Sequence, residues 1–406
     1  MLLSSSTKVP ENPLHIDLSM NVSTAAIAVR PVATRREKRI FLHFPWGIYR
    51  HDPLWVPPIL TERADRLNPK KNKLFHTGKI ATFIAWEGSR PVGTIATAID
   101  PAVNANQHEQ AAVFGFFECV ENYRVAQALL DHAAMWARAH GMRILRGPQS
   151  FGPNDEPGVL IEGRETPRGL LMSWSPPYYQ TFIERYGVQR YQDSLAYRAY
   201  LANYVGEDGA FHSPHNIDQI AEYVQNRYNG RCRVRLGNLQ DLDGELEVAR
   251  DIYNRSLATL PVFTPERREE WRRMALTIRP LLDPEFAPFV EVDGVAVAFG
   301  LALPDINQAL LHCNGLRAPW DYLKLWWYSR HLPGISFKIM ALLPEYREQG
   351  LDALIYSHIA HTSFRKGYQW IDMSLTGDDN PMTNKLAQRI GAVIDKRYRV
   401  YELALE

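Results

Sequence analysis

The feature that most constrains the fold of this chain is an approximate repeat of one strand–turn–strand unit in its two halves. Two apolar runs flank Glu87-Gly88-Ser89 in the first half, and two similar runs flank Asp293-Gly294 in the second. Apolar runs around a Gly-containing turn are typical of a β-hairpin. The glycines of the two turns lie 206 positions apart in a chain of 406 residues. A duplicated αβ domain is therefore the first hypothesis, and two unrelated αβ halves that match by chance are the alternative.

A second correspondence follows further along each half. Apolar residues at helical spacing end at Gly141 in the first half and at Gly367 in the second, and these glycines are 226 positions apart. Glycine is common just past a helix because it accepts the left-handed conformation there. Asn154 and Asn380, in the loops that follow, are also 226 positions apart. The matches predict an α/β (α+β) protein with a mixed sheet covered by helices in each half.

The predicted boundaries follow from these matches. Residues 1–26 form a polar tail, residues 27–202 the first domain, residues 203–232 a linker, and residues 233–406 the second domain. The linker opens with glycines and a proline, which interrupt regular structure. It then continues with one amphipathic helical pattern from Ile217 to Tyr228.

Composition narrows the class of protein. Hydrophobic residues make up 46% of the chain and charged residues 22%, which excludes a disordered or collagen-like chain. A formal net charge of +1 argues against a dedicated nucleic-acid binder. The three cysteines are far apart in sequence, so we expect neither a disulfide framework nor a metal site. Without a long apolar segment, the sequence predicts a cytoplasmic protein with no transmembrane helix.

The most specific local pattern lies in the second half. An apolar strand ends at Leu342 and Leu343, and Pro344, a turn and a helix that opens around Arg347-x-x-Gly350 follow it. The first amides of a helix have no partner inside the helix, and the helix dipole places partial positive charge there. A glycine at this place lets a phosphate approach the backbone closely. The pattern therefore predicts an anion-binding turn.

This turn resembles the signature of the GNAT superfamily of acyl-CoA-dependent acyltransferases, in which Arg or Gln-x-x-Gly-x-Gly or Ala follows a strand and a proline. The resemblance covers residues 233–406 well and residues 27–200 more weakly, through the repeat. It implies tandem GNAT-like domains with mostly antiparallel sheets, and acetyl-CoA or a longer acyl-CoA as co-substrate. The residues that it assigns to the cofactor are Leu342, Leu343, Arg347, Gln349, Gly350, Leu351, Asp352 and Asn380.

More narrowly, the chain resembles a subfamily of long bacterial tandem GNAT-like proteins. That likeness depends on Gly147-Pro148, on residues 154–158 and on Pro176-Pro177-Tyr178-Tyr179. It implies an N-acyltransferase that moves an acyl group to an amine, and the subfamily suggests an amine on a long-chain lipid as the acceptor. A small polar amine is the other acceptor class. A non-catalytic acyl-CoA or ligand sensor with degenerate GNAT domains is the alternative function.

Three features depart from the family pattern. Asp352 stands where the family has Gly or Ala, and a carboxylate there would repel a diphosphate unless it turned away or formed a cap. Ala387 stands where the family often has a tyrosine that protonates the departing thiolate. The corresponding turn of the first half, residues 118–124, has two carboxylates and neither Gly nor Pro. We therefore expect one working CoA cleft, in the second half.

Four carboxylates are candidates for the catalytic base, since direct acyl transfer needs a base for the amine and no covalent nucleophile. Asp372 lies on the strand that follows the cofactor helix. Asp155 and Glu156 lie in the loop that the repeat equates with that of Asn380, and Glu118 lies on a first-half strand. Their structural alternatives are a solvent-facing strand position, a helix cap or a turn.

A dense aromatic segment, Trp320 to Tyr328, precedes the cofactor strand. The pattern favours a helix in the protein core. The alternatives are the wall of an apolar acyl or lipid tunnel, or a surface in peripheral contact with a membrane.

Overall fold

The computed structural model describes residues 26–151, 157–258 and 265–406. Its strands are β1 (Ile27–Pro31), β2 (Lys79–Glu87), β3 (Arg90–Ile99), β4 (Ala111–Cys119), β5 (Ile144–Gly147), β6 (Val159–Glu162), β7 (Gln189–Tyr200), β8 (Cys232–Arg235), β9 (Phe289–Val292), β10 (Val295–Pro304), β11 (Gly334–Leu342), β12 (Trp370–Gly377) and β13 (Val393–Ala404). Its helices are α1 (Arg35–His43), α2 (Pro45–Ile48), α3 (Leu60–Arg66), α4 (Leu74–Thr77), α5 (Pro101–Gln107), α6 (Tyr123–Ala139), α7 (Pro177–Arg185), α8 (Ile217–Tyr228), α9 (Leu242–Leu257), α10 (Arg268–Ile278), α11 (Asn307–Leu310), α12 (Pro319–Tyr328), α13 (Leu351–Arg365) and α14 (Pro381–Arg389).

The predicted repeat is present as a repeated order of elements. The hairpin β2–β3 precedes β4, α6 and β5 in the first half, and the hairpin β9–β10 precedes β11, α13 and β12 in the second. β4 pairs in parallel with β5 only through residues 111–113, and β11 pairs in parallel with β12 only through residues 334–336. Beyond these residues the two strands of each pair separate. The predicted α/β class, a mixed and mostly antiparallel sheet flanked by helices, is confirmed.

Helices cover both faces of the sheet. A side chain added at Gly300 of β10 would meet Ile355 and Ile359 of α13. Its neighbours Phe299 and Leu301 instead line an apolar cleft with α9 and α10. Successive residues of a strand point to opposite faces, so α13 and the pair α9–α10 lie on opposite sides of the second half.

The closing strands of the two halves are exchanged. The strands of the described residues form one sheet in the order β1-β2-β3-β4-β5-β13-β7-β12-β11-β10-β9-β8, with β6 paired to β13. β7, from the first half, pairs with β12 of the second half. β13, the last strand of the chain, lies between β5 and β7. Each half is therefore completed by a strand that comes from the other half.

Helix α8 lies within the predicted linker and packs along α13. The carboxylate of Asp218, near the start of α8, accepts hydrogen bonds from the Ser357 hydroxyl at 2.6 Å and from His361 Nε2 at 3.0 Å. The apolar side chains of Ile220 and Val224, also on α8, lie against Gly350 at the start of α13. The linker helix is thus part of the wall around the predicted cofactor turn.

Residues 163–175 of the first half, which we term the bridging segment, reach across to the second half. Lys338 Nζ of β11 donates a hydrogen bond to the Leu170 carbonyl oxygen at 2.8 Å. The Asn307 side-chain amide donates to the Gly169 carbonyl oxygen at 2.7 Å. The bridging segment therefore connects β11 to the first half.

Candidate active site

Glu118 lies near the end of β4, in the wall of a polar cavity of about 80 Å³. Other residues that line this cavity are Val56, Pro58, Arg63, Arg168, Trp174 and Tyr179. The first three belong to the loop and helix after α2, and Arg168 and Trp174 belong to the bridging segment. All the residues that line the cavity therefore belong to the first half, and some of them belong to the bridging segment, which contacts the second half.

Two buried tyrosine hydroxyls hold the Glu118 carboxylate. Tyr179 donates a hydrogen bond to Glu118 Oε2 at 2.7 Å, and the Tyr49 hydroxyl lies 3.1 Å from the same oxygen. Burial, and then the negative charge of Glu118, raise the pKa of both tyrosines well above the usual value. Both hydroxyls therefore stay protonated at neutral pH and can serve as donors to the carboxylate. The Glu118 carboxylate is therefore held in a fixed position on the cavity wall.

The motif Pro176-Pro177-Tyr178-Tyr179 explains how Tyr179 reaches Glu118. Pro177 occupies the first turn of α7, where a missing amide proton has no cost. The hydroxyl of Tyr178 then donates to the Cys119 carbonyl oxygen at 2.9 Å, and the Cys119 amide donates to the Tyr179 hydroxyl at 2.8 Å. The motif fastens the start of α7 to the end of β4, beside Glu118.

A bulge in β4 directs the end of the strand toward the cavity. The pairing of β3 with β4 shifts register between Thr94 and Ala96. Phe116 has a positive φ of 47°, and its carbonyl oxygen accepts a hydrogen bond from the Thr94 hydroxyl at 2.9 Å. β11 has a register shift at the corresponding place, opposite Leu301 and Ala302 of β10. Bulges of this kind change the direction of a side chain, and they are frequent beside active sites.

Asp372 lies in a buried charged cluster beneath the bridging segment. Its side chain is 3% exposed, and its Oδ2 atom is 2.4 Å from where a side chain at Gly169 would begin. Asp305, which is fully buried, and Lys338 complete the cluster. Burial, and then the charge of Asp372, raise the pKa of Asp305 to about 6, and burial lowers the pKa of Lys338. Asp372 therefore does not face solvent.

The raised pKa of Asp305 predicts a pH dependence of stability. Between the ordinary value of 3.8 and about 6, the folded protein binds more protons at this group than the unfolded chain does. The free energy of unfolding should therefore fall as the pH rises through this window, by roughly 3 kcal/mol in total. In Asp305→Asn this part of the decline should be absent, as measured by urea unfolding at several pH values. Asp251→Asn, at an exposed position, is the control, and the same pH profile in both variants would contradict the prediction.

The predicted cofactor turn connects β11 to α13. Leu342 and Leu343 are buried, as is Leu351 at the first position of α13. Gly350 precedes the helix with a positive φ of 79°, a conformation that favours glycine. An added side chain at Gly350 would begin 3.0 Å from Val224 and 3.1 Å from Ile220 of α8. The glycine thus allows both the turn and the close contact with α8.

The polar side chains of this turn bond within the protein. Arg347 donates to the Ser256 carbonyl oxygen, and Gln349 accepts a hydrogen bond from the Tyr228 hydroxyl at 2.5 Å. The Asp352 carboxylate interacts with the backbone amides of Asp352 and Ala353, and burial raises its pKa. The Asp352 carboxylate therefore lies beside the first amides of α13, where the sequence predicts a diphosphate.

The predicted site residues fall into three places. Seven of the eight predicted cofactor residues lie together at the β11–α13 turn, whereas Asn380 caps α14, where it accepts a hydrogen bond from the Thr383 amide at 3.2 Å. Glu118 lines a cavity with Arg168 and Trp174 of the bridging segment, and Asp372 lies beside Gly169 of the same segment. Asp155 and Glu156 lie outside the described residues. Tyr49 and Arg168 are not among the predicted residues, because no local sequence pattern marks them.

Two curated proteins are similar to the chain over nearly its whole length, although no family model matches it. A bacterial ceramide synthase of Caulobacter vibrioides is 28% identical over 394 residues, which cover 94% of this chain and 99% of that protein. Protein YghO of Escherichia coli is 28% identical over 381 residues, which cover 92% of this chain and 94% of that protein. The similarity therefore includes both halves of the chain.

Two solved structures share its fold. A tandem GNAT protein from the clavulanic acid biosynthesis pathway aligns with a TM-score of 0.55 at 13% identity, over 94% of this chain and 99% of that chain. A GCN5-related glucosamine N-acetyltransferase region of a fungal multi-domain β-N-acetylglucosaminidase aligns with a TM-score of 0.53 at 14% identity, over 94% of this chain and 38% of that chain. The resemblance to the GNAT superfamily that the sequence indicated is confirmed at the level of the fold.

Proposed function

We propose, from the tandem GNAT fold of this chain, that it is an acyl-CoA-dependent N-acyltransferase whose acceptor is a long-chain amino lipid. The observation that carries the proposal is the Glu118 carboxylate, fixed by two tyrosine hydroxyls in the wall of a polar cavity. The similarity to a protein named a ceramide synthase supports the lipid acceptor, because a ceramide is the amide of a fatty acid and a long-chain amino alcohol.

In the proposed reaction the acceptor amine enters the cavity beside Glu118. The amine nitrogen attacks the carbonyl carbon of the thioester, and Glu118 accepts the proton that the nitrogen loses. The carbon–sulfur bond then breaks and an amide forms. The thiolate of CoA takes up the proton that Glu118 received, directly or through water, which returns Glu118 to its carboxylate form. Tyr49 and Tyr179 keep the carboxylate in place through the reaction, so that no reorganisation of the base is needed.

For the donor, we propose that the acyl-CoA lies along β11, with its diphosphate at Arg347 to Asp352. The separation of β11 from β12 after residue 336 supports this placement, because it opens the sheet beside the turn. The hydrogen bond from Lys338 to the bridging segment supports a donor cleft next to the Glu118 cavity. The Asp352 carboxylate beside the first amides of α13 opposes it and favours the alternative function, a ligand sensor without turnover.

The test of the proposed function is a reaction of the purified protein with palmitoyl-CoA and sphinganine. We expect free thiol to be released only in the presence of the amine, and mass spectrometry to identify the amide. The short amine ethanolamine in place of sphinganine tests the lipid preference, and we expect slower release. Binding of palmitoyl-CoA without amide from any amine would reject the enzyme in favour of the sensor.

Removal of the Asp352 carboxylate is expected to strengthen CoA binding. A negative charge at the first amides of α13 repels a diphosphate, so Asp352→Ala should lower the Kd for CoA about tenfold, as measured by calorimetry. The loss of the favourable interaction between a carboxylate and the start of the helix should cost less than about 1 kcal/mol of folding stability. Glu348→Ala removes an exposed carboxylate from the same turn and is the matched control. Equal Kd values for Asp352→Ala and the unmodified protein would place the diphosphate elsewhere.

A further inference from the structure

Helix α12 is wrongly predicted as a core helix, because most of its aromatic side chains are exposed. The exposed apolar residues are Trp320, Tyr322, Leu323, Trp326, Trp327 and Tyr328, each between 42% and 69% exposed. Asp321 and Leu325 point inward instead. An apolar patch of this size on the surface of a folded chain is typical of an interaction site.

The charged side chains that α12 and its flanking residues expose are positive. From Gly315 to His331, a stretch that the structure describes without a gap, the only carboxylate is Asp321, which is 1% exposed. It is used internally, since it accepts hydrogen bonds from the Arg317 and Ala318 amides at 3.0 and 3.1 Å. Lys324 and Arg330 are exposed within the same stretch. Within this stretch the surface therefore combines aromatic rings with cations and exposes no carboxylate. Asp283, which lines a cleft beside Trp326 and Arg330, is paired with Lys366.

Arg330 illustrates how the cations and the rings are combined. Its guanidinium carbon lies 3.7 Å from the centre of the Trp326 ring and 5.8 Å from that of Trp327. A cation over an indole face stays close to the apolar surface and can still meet an anion. Tryptophan and tyrosine with flanking lysine and arginine are the residues that settle at the headgroup level of a bilayer.

We propose that α12 docks this protein on the surface of an anionic lipid bilayer, with Trp320, Trp326 and Trp327 at the headgroup level. A second copy of the chain is a poorer occupant, because a symmetric contact would bring Lys324 and Arg330 of both copies together. In the described part of the chain, no helix has the length and apolar character to cross a bilayer. The contact is thus interfacial, as for an amphipathic helix that lies in the plane of the surface.

The packing beneath α12 connects this surface to the Glu118 cavity. Leu325, on the inner side of α12, packs against a cluster of Val56, Leu310 and Cys313. Val56 also lines the Glu118 cavity. Docking through α12 would therefore hold the cavity close to the bilayer, where a long-chain amine resides. This link to the acceptor rests on the proposed function, whereas the docking itself does not.

The test is sedimentation of the full-length protein with lipid vesicles, without substrate. We expect binding to vesicles of phosphatidylcholine and phosphatidylglycerol in equal amounts, and weaker binding to phosphatidylcholine alone. The double variant W326A/W327A should lose roughly tenfold or more in partitioning, and Lys324→Glu should lose binding to the anionic vesicles in particular. Tyr223→Ala, which removes an exposed aromatic ring from α8, is the control and should bind as the unmodified protein does.

Two results would overturn the proposal. One is equal sedimentation of W326A/W327A and Tyr223→Ala. The other is a dimer in light scattering that W326A/W327A dissociates, with no vesicle binding by the unmodified protein, which would identify a second copy as the occupant. Failure of the proposed function is a separate result: no amide would form from palmitoyl-CoA and any amine, even though vesicle binding occurs as expected. If the proposed function and the bilayer docking are both correct, W326A/W327A should keep its rate of acyl transfer to ethanolamine and should transfer more slowly to sphinganine in vesicles.

Discussion

Replacement of Glu118 by glutamine is expected to slow acyl transfer about 10²- to 10⁴-fold, the usual contribution of a positioned base. Glutamine keeps the size of the side chain and can still accept the Tyr179 and Tyr49 hydrogen bonds, so the fold should persist. It cannot accept the proton of the amine. The measurement is the rate of amine-dependent thiol release at saturating palmitoyl-CoA, together with the Kd for CoA, which should not change.

The matched control for this prediction is Glu121→Gln. Glu121 is an exposed carboxylate three positions further along the same turn, and its replacement should leave the rate within about twofold. Tyr179→Phe and Tyr49→Phe should give intermediate losses, because each removes one of the two groups that position the carboxylate. A Glu118→Gln protein with an unchanged rate would exclude Glu118 as the base and leave Asp372 or the loop of Asp155 and Glu156 as candidates.

Replacement of Tyr398 by alanine is expected to cost about 3 to 5 kcal/mol of folding stability. Tyr398 lies on the exchanged strand β13, is fully buried, and packs against Leu160 and Met172 of the first half. Its hydroxyl donates to the Ser173 carbonyl oxygen at 3.3 Å. Truncation would leave a cavity where the two halves meet, so we expect the midpoint of guanidinium unfolding to fall and the transition to stay single.

Two further variants separate the contributions of the Tyr398 hydroxyl and of the buried Tyr398 ring to folding stability. Tyr398→Phe removes only the hydroxyl and should cost about 1 kcal/mol. Val393→Ala changes an exposed position of the same strand and should change stability by less than about 0.5 kcal/mol. A Tyr398→Ala protein that unfolds in two separate transitions would show that the halves fold independently in spite of the exchange.

The tandem architecture could be predicted because its signals are local. Gly88, Gly141, Gly294 and Gly367 all have positive φ values in the structure, as hairpin turns and helix ends require. The strand exchange could not be predicted, because alternation of apolar residues shows which face of a strand is buried and not which strand lies beside it. For the same reason the pattern does not distinguish a β13 paired within its own half from a β13 paired with β5.

For the site, too, the sequence does not show which distant residues become neighbours in the fold. Glu118 was a candidate from its place on a strand, but its partners Tyr179 and Tyr49 lie 61 and 69 positions away in sequence. The glycine at position 350 correctly marks a special turn, but room for a phosphate is only one reason for a glycine there. The structure adds two others, a left-handed φ and a close contact with α8. For α12, a density of aromatic residues indicated burial, whereas the structure turns most of them to solvent. Density alone does not show which side of a helix another element covers.

The exchanged strands also bear on how such a protein can diversify. If recombination replaced one half of the chain, the new half would contribute its closing strand to the sheet of the other half. It would also have to pair with the closing strand of the half that stayed. The pairs β5–β13 and β7–β12 would then both have to form with strands from different sources. We therefore expect the two halves of proteins built in this way to be inherited as a unit and to change together along the β5–β13–β7–β12 seam.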